Sequence, residues 1–251
     1  NDETDFGTSS DSLIVIDGKP KKSFVTHAMF VQSDNDVKLL SYSSTNLESF
    51  KSLKGKKIGV TKGTASEYFL SNLLAIEGFT IEDVELHHFA PEQLISALKN
   101  HDVDAIVPWE PYAFMALTKL KGQIKVYETK NLNSLSFNLI SKKADDLLVD
   151  EATCVLQGLN KAIEYIALNQ EQAKKIVINE LHETASFIDW VWPDYIFKLE
   201  LNESLKLNIE AQVEWAIDIH MSQFDEMPNM NKIVDARAML KVNPDAVNIQ
   251  P

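Results

Sequence analysis

The chain has 251 residues, 45% of them hydrophobic and 24% charged, a composition typical of a folded globular protein with one large domain or two smaller ones. Its formal net charge of −13 argues against nucleic-acid binding, because contact with phosphates needs a basic surface. The single cysteine, Cys154, excludes an intrachain disulfide, and no apolar run approaches the roughly 20 residues of a membrane-spanning helix.

The first residues, "NDETDFGTSS", contain no signal peptide, so an export signal either is absent or has been removed before residue 1. Chains without disulfides occur in the cytosol and outside it, so the cysteine count does not decide the compartment. The compartment must therefore be inferred from other features.

A run of small and polar residues, "TDFGTSSDS", precedes the apolar "LIVI" near the start of the chain. Ser9, Ser10 or Asp11 could cap a helix running through Leu13 and Ile16, with the first amides of that helix pointing outward. Capping is the favoured interpretation of this segment, and contact with a ligand is the alternative.

The middle of the chain predicts strands that alternate with helices. In order these are strand "KKIGV", helix "ASEYFLSNLLAIEG" ended by Gly78, strand "VELHHF", helix "PEQLISALKNHD" with Pro91 near its first turn, strand "VDAIVPW", helix "EPYAFMALTKLKG" and strand "IKVYE". Short apolar runs separated by helices of this length indicate βαβ units and a mainly parallel sheet.

The junction between the first of these strands and its helix contains Gly63, Thr64, Ala65 and Ser66. The first N–H groups of a helix lack partners and lie at the positive end of its dipole, and a glycine lets a ligand approach the backbone. The junction is therefore a candidate cradle for an oxyanion or another polar group. Simple helix capping is the more frequent meaning of such a pattern.

The segment "VPWEPY" follows the third strand, where ligands meet the sheet in open α/β folds. Trp109 offers a flat stacking face, and Glu110 offers an acceptor for an amine or a ring N–H. A core tryptophan and a glutamate placed at a helix N-terminus for dipole reasons would give the same pattern. The residues do not choose between these interpretations.

Metal binding and catalysis find little support in the sequence. His87 and His88 would face opposite sides of a strand and cannot share one metal ion, and they lack further ligands at metal-site spacing. Established catalytic motifs are missing. The aromatic segment "FIDWVWPDYIF" predicts core packing, with Trp192 as a side chain that could line a ligand site.

From about residue 144 the sequence becomes helical. "DEATCVLQGLNKAIEYIALN", "QEQAKKIVINEL" and "NESLKLNIEAQVEWAIDIHMSQF" predict helices, and the tail "NKIVDARAMLKVNPDAVNI" predicts a short one. The first of these places apolar residues at helical spacing: Val155, Leu159, Ala162, Ile163 and Ile166. An α/β half followed without a linker by a helical half suggests two lobes that the chain crosses between.

Taken together, the segments resemble a family of solute-binding proteins of ABC importers, the sulfonate/nitrate/taurine and thiamine-precursor (SsuA/THI5-like, NMT1) family. The pieces that carry the resemblance occur in order along nearly the whole chain. They are "TDFG", "SLKGKKIGVTKGTASEYFL", "DVELHHFAPEQLISALKNHDVDAIVPWEPYAFMAL", "ALNQEQAKKIV", "WVWPDYIFKLELNESLKLNIEAQVEWAI" and "MPNMNKIVDARAMLKVNPDAVNI".

This resemblance implies an α/β type II periplasmic-binding-protein fold, in which two lobes are joined by a hinge and hold the ligand in a cleft. Residues 1–41 and 138–251 would form lobe I, which lacks the first βαβ unit usual in the family, and residues 42–137 would form lobe II. The implied ligand contacts are the loop with Thr8, Ser9, Ser10 and Asp11, the turn with Gly63, Thr64, Ala65 and Ser66, and the turn with Trp109, Glu110 and Tyr112.

The implied function is capture of a sulfonate, nitrate or a heteroaromatic thiamine-precursor-like compound by a monomer outside the cytoplasm. Delivery to the permease and ATPase subunits of an ABC importer would follow, without a cofactor. An alternative is a ligand-sensing domain of a membrane signalling protein. The enzymatic branch of the family that makes the thiamine pyrimidine carries a cysteine-rich iron motif, which a chain with only Cys154 cannot supply.

Overall fold

The computed structural model describes residues 4–12, 24–45, 47–142, 148–220, 227, 229, 230 and 233–249. The chain forms two compact units. Unit 1 comprises the residues up to Ser33 and those from Leu135 onward, and unit 2 comprises Asp34–Ser134. The helix expected through Leu13 and Ile16 lies outside the described residues.

Nine strands are described. They are β1 (Phe6–Ser10), β2 (Val25–Ser33), β3 (Leu40–Tyr42), β4 (Lys57–Val60), β5 (Glu85–His88), β6 (Ala105–Ile106), β7 (Ile124–Val126), β8 (Leu135–Ser141) and β9 (Tyr195–Glu200). The helices that matter below are α1 (Ala65–Ile76), α2 (Leu94–Lys99), α3 (Tyr112–Lys119), α4 (Val149–Leu168), α5 (Gln170–Leu181), α6 (Ala185–Val191), α7 (Glu203–Asp218) and α8 (Arg237–Val242). No helix in the described ranges is both long and apolar enough to span a bilayer.

Unit 2 is built on a five-stranded sheet in the order β5-β4-β6-β3-β7. Strand β4 pairs in parallel with β5 and β6, whereas β3 pairs antiparallel with β6 and β7. The expected mainly parallel sheet is therefore confirmed, with β3 as the exception. Strands β4, β5 and β6 end on the same side, which we call the carboxyl end of the sheet.

Close packing explains the composition of β4. A Cβ atom on Gly59 would lie 3.2 Å from Ile106 Cγ2 and 3.3 Å from Leu94 Cδ2, so with a larger residue here these two side chains would have to shift by a few tenths of an ångström. Helix α1 then buries Phe69, Leu70 and neighbouring side chains. The helix ends shortly before Gly78, whose φ of 75° lies in the left-handed region that glycine tolerates best.

Unit 1 contains a four-stranded sheet in the order β1-β8-β2-β9, with every neighbouring pair antiparallel. Helices α4, α7 and α8 contribute to its core through side chains that include Leu156, Ile209, Val213 and Met239. The predicted apolar face of α4 was partly wrong. Val155 and Ala162 are exposed, and the buried face instead begins at Ala152 and Leu156 and continues through Leu159 and Ile163.

The unit boundaries differ from the expected ones because of how the strands at the boundaries pair. Leu40 and Ser41, which we expected in lobe I, pair with β6 and β7 in unit 2. The first residues of β8, which we expected in lobe II, pair with the end of β2, as in Ser33 opposite Leu135. Both crossings between the units therefore occur a few residues earlier than predicted.

Candidate functional site

The two turns singled out in the middle of the sequence lie together at the carboxyl end of the unit 2 sheet. One follows β4 and contains Gly63 to Ser66, and the other follows β6 and contains Trp109. The Ser66 hydroxyl donates a hydrogen bond of 2.5 Å to the Val107 carbonyl oxygen and accepts one of 3.3 Å from the Thr61 N–H. The turns are thus joined directly by a buried side chain.

The turn after β4 is held by its own side chains. Thr64 is the N-cap of α1, and its hydroxyl accepts the Ser66 N–H at 3.2 Å while donating to the Thr61 carbonyl at 2.7 Å. Gly63 has a φ of 68°, a conformation that a side chain would strain. The Gly63 N–H donates to Glu67 Oε2 at 2.6 Å.

Two amides of this turn have no acceptor within the described part of the chain. They are the backbone N–H groups of Thr64 and Ala65. Both lie at the N-terminus of α1, where the helix dipole is positive. The turn therefore combines capping with two donors that can bind an oxygen-bearing group, so the two interpretations of the sequence are compatible.

In the turn after β6 the aromatic side chains are more exposed than the acidic one. Trp109 and Tyr112 are half-buried, and their rings meet edge to face with centroids 6.0 Å apart. Glu110 is buried, and its Oε2 accepts the Phe114 N–H at 3.0 Å in the first turn of α3. The two aromatic rings are partly open to solvent, whereas the glutamate is bonded within the protein.

A buried cation that the sequence analysis missed completes this arrangement. Lys38 Nζ lies 3.4 Å from Glu110 Oε1 with both side chains almost fully buried, and it also donates to the Asn35 carbonyl oxygen. The backbone reinforces the pair, since the Lys38 N–H donates to Pro108 and the Glu110 N–H to Asp36. The only signal in the sequence was a lysine within the apolar run "DVKLL", which by itself usually indicates an exposed strand position.

Glu67 is the second residue that the sequence analysis missed, although a signal was present. Thr64 and Glu67 have the spacing of a capping box, in which the glutamate reaches back to the amide of the cap residue. Here the carboxylate accepts the N–H of Gly63, one residue earlier. Its other oxygen lies 3.2 Å from His88 Nε2 at the end of β5.

The two histidines contact different carboxylates. His87 Nε2 lies 2.8 Å from Glu85 Oε1 on the same strand, whereas His88 contacts Glu67. Within the described ranges no group of three or more histidine, cysteine, aspartate or glutamate side chains is arranged to hold a metal ion.

The N-terminal segment is a strand where the resemblance implied a loop. Thr8, Ser9 and Ser10 belong to β1 and pair with β8, so the loop interpretation was wrong for these three residues. Thr8 is exposed and the two serines are half-buried, positions at which small polar side chains are tolerated. Their role as ligand contacts stays a prediction.

Asp11 is fully buried in unit 1 rather than open to a ligand. Its Oδ1 accepts the Ser12 N–H at 2.8 Å, and its Oδ2 accepts the Ser136 N–H and hydroxyl, both at 3.1 Å, and the Asn208 amide at 2.6 Å. Burial raises the pKa of Asp11 from 3.8 to about 6, against hydrogen bonds from Gln212 and the other donors that lower it. The carboxyl group joins β1, β8 and α7.

Trp192 packs in a small apolar cluster with Ala173 and Ile188. Its ring centroid lies 5.1 Å from that of Phe197, and Lys174 Nζ lies 6.0 Å from it on one face. The residue is 8% exposed, which agrees with the core interpretation of the aromatic segment.

Comparison with known proteins gives a consistent result. Residues 1–173 match the family model described as NMT1/THI5 like. A Bacillus subtilis (strain 168) protein, provisionally named an aliphatic sulfonates-binding protein, is 30% identical over 170 residues, which are 63% of this chain and 51% of that protein. The chain thus spans about half the length of this curated relative.

Solved structures share the fold at lower identity. The periplasmic aliphatic sulphonate binding protein SsuA from Escherichia coli has a TM-score of 0.74 at 18% identity, over 89% of this chain and 77% of that one. The desulfurization enzyme DSZB has a TM-score of 0.66 at 11% identity, over 96% of this chain and 85% of that one. These likenesses assign the type II periplasmic-binding-protein fold, which also supports catalysis in other proteins.

Proposed function

The chain belongs to the NMT1/THI5-like family, and from this membership we propose that it binds a small solute outside the cytoplasm and delivers it to an ABC importer. The observation that carries the proposal is the match over residues 1–173, which include both turns at the carboxyl end of the unit 2 sheet. Ligands of open α/β sheets bind at this end of the strands. Binding is proposed in preference to catalysis, because the B. subtilis relative is named for sulfonate binding and a chain with one cysteine cannot supply the cysteine-rich motif of the enzymatic branch.

The proposed ligand class is an aliphatic sulfonate. The support is the name of the B. subtilis relative together with two backbone donors at a helix N-terminus, the amides of Thr64 and Ala65. Sulfonate oxygens accept hydrogen bonds from such amides without needing an arginine, and the only arginine in the sequence is Arg237 in unit 1. Trp109 and Tyr112 would pack against the carbon chain.

The remaining predicted contacts divide into three groups. Ser66, Glu110, Asp11 and Trp192 are engaged by neighbouring protein groups, so we propose that they support the structure around the ligand contacts. Gly63 gives the turn its backbone shape. Thr8, Ser9 and Ser10 remain predicted ligand contacts.

A thermal-shift screen followed by calorimetry tests the proposal. Ethanesulfonate, nitrate and a pyrimidine would be compared, because a ligand present at 100 times its Kd stabilises a protein by roughly 2.7 kcal/mol. We expect ethanesulfonate to raise the Tm and the other two compounds to leave it unchanged. A rise in Tm with the pyrimidine alone would show that the ligand is a heteroaromatic compound instead of a sulfonate. An unchanged Tm with all three compounds would contradict solute binding of this kind.

Delivery to a transporter needs a separate measurement. ATP hydrolysis by the cognate permease and ATPase in lipid vesicles should rise when the liganded chain is added. An unchanged rate would favour the alternative of a ligand-sensing domain.

A further inference from the structure

A carboxylate already occupies part of the helix N-terminus that the proposed ligand would use. Glu67 Oε2 lies 2.6 Å from the Gly63 nitrogen, and Oε1 lies 3.2 Å from His88 Nε2. The Glu67 side chain is 8% exposed. The Gly63 amide can only donate, so Oε2 accepts this bond, and the Oε1 contact to His88 Nε2 is a hydrogen bond whose direction depends on the imidazole tautomer.

The Glu67 carboxylate lies next to the two amides that are proposed to bind the ligand. The amide that Glu67 engages, that of Gly63, immediately precedes those of Thr64 and Ala65. The carboxylate therefore satisfies one donor of the turn and places a negative charge beside the other two. An anion bound to these amides would be attracted by the helix dipole and repelled by Glu67.

Compensating positive charge is scarce among the described groups at this end of the sheet. Lys38 is paired with Glu110 inside the protein. Lys62, in the turn itself, is exposed to solvent, where its charge is screened. His88, with a side chain 39% exposed, is the polar group that contacts Glu67 from β5.

From these contacts we propose that Glu67 determines the charge selectivity of the site, with His88 moderating its effect; the inference rests on the proposed function. Glu67 weakens binding of a fully anionic sulfonate and leaves binding of a neutral compound of the same shape almost unchanged. The parent site would still bind an aliphatic sulfonate, but less tightly than it would without the Glu67 charge.

The test compares two compounds on matched variants. Calorimetric Kd values for ethanesulfonate and for neutral ethanesulfonamide would be measured with the parent chain, Glu67→Gln and Glu85→Gln. The Glu67→Gln side chain keeps an oxygen for the Gly63 N–H and loses the charge. Glu85→Gln loses the same charge on β5, where the acid pairs with His87.

We expect Glu67→Gln to bind ethanesulfonate about tenfold more tightly than the parent does, because a negative charge a few ångströms from the anion has been removed near the protein surface. The Kd of ethanesulfonamide should stay within about twofold of the parent value. Glu85→Gln should match the parent with both compounds. Equal changes for both compounds in Glu67→Gln would indicate a purely structural role and would overturn the inference, as would no change.

His88→Leu provides a second, independent variant. Loss of the imidazole leaves the Glu67 charge less balanced, so ethanesulfonate should bind more weakly while ethanesulfonamide is unaffected. In the double variant with Glu67→Gln this effect should vanish. If Glu67→Gln does not fold, an unchanged ratio of the two Kd values in His88→Leu overturns the inference. A parent chain that binds neither compound would instead contradict the sulfonate proposal itself.

Discussion

The Ser66 hydroxyl, on the first turn of α1, donates its hydrogen to the carbonyl oxygen of Val107, directly after β6. The two residues belong to different βα connections of unit 2, and this bond joins the turn with the unpaired amides to the turn with Trp109. The arrangement of donors and aromatic faces thus depends on a hydroxyl that itself is buried. The candidate contacts are held by residues that do not need to touch a ligand.

Ser66→Ala should destabilise the protein by roughly 1–3 kcal/mol, because it leaves the Val107 carbonyl and the Thr61 N–H without their partner in a buried place. Urea denaturation followed by circular dichroism measures the change. Thr118→Ala removes a hydroxyl bonded to the Phe114 carbonyl on the exposed side of α3 and should cost less than about 0.5 kcal/mol. An equal decrease in the free energy of unfolding of the two variants would show that the buried Ser66 hydrogen bond stabilises the protein no more than an exposed one.

Lys38→Met should destabilise the protein by about 3–5 kcal/mol, since it leaves the Glu110 carboxylate buried without its cation. Glu110→Gln in the same chain should recover much of the loss, because the charge to be compensated is then gone. The free energies of unfolding of both single variants and the double variant form a double-mutant cycle. Additive effects of the two substitutions would contradict a coupled pair.

We expect the stability of the protein to fall as the pH rises from about 4 to 7, because Asp11 loses its proton over this range. Burial raises the pKa of Asp11 to about 6, so the native state binds the proton more tightly than the unfolded state does. Stability from this group is therefore complete below pH 3.8 and is lost as the pH rises through 6, by about 3 kcal/mol in all.

Asp11→Asn isolates this contribution, since an amide does not titrate in the range. Urea denaturation at pH 4.5 and pH 7.5 should show a smaller fall in stability over that interval for the variant than for the parent. Parallel pH profiles for the two chains would show that Asp11 is not the group responsible.

Local sequence patterns predicted much of unit 2, because hydrophobic periodicity and turn residues act over short distances. Gly78, for example, ended α1 as expected, and both candidate turns were found at the ends of their strands. The burial of polar residues was not predictable in this way. Asp11 accepts a hydrogen bond from Ser136, 125 positions away, and Lys38 forms an ion pair with Glu110. These partners are therefore set by the tertiary structure.

Weak local signals explain the errors in unit 1. The residues of β1 beyond Gly7 are "TSS", which lack the apolar alternation of a strand and are held by pairing with β8. In α4, Val155 fitted the expected period as well as Leu156 does, and only contact with the rest of unit 1 decides which of them is buried.

The most direct test of the account is the Kd of ethanesulfonate measured by calorimetry for the parent chain and for Trp109→Ala. Removing the indole takes away the apolar surface proposed to cover the carbon chain, so the Kd should rise about tenfold or more. Met115→Ala, an exposed position on α3, serves as the control and should bind like the parent. Binding by Trp109→Ala that equals the parent's would place the solute away from this end of the sheet and contradict the account.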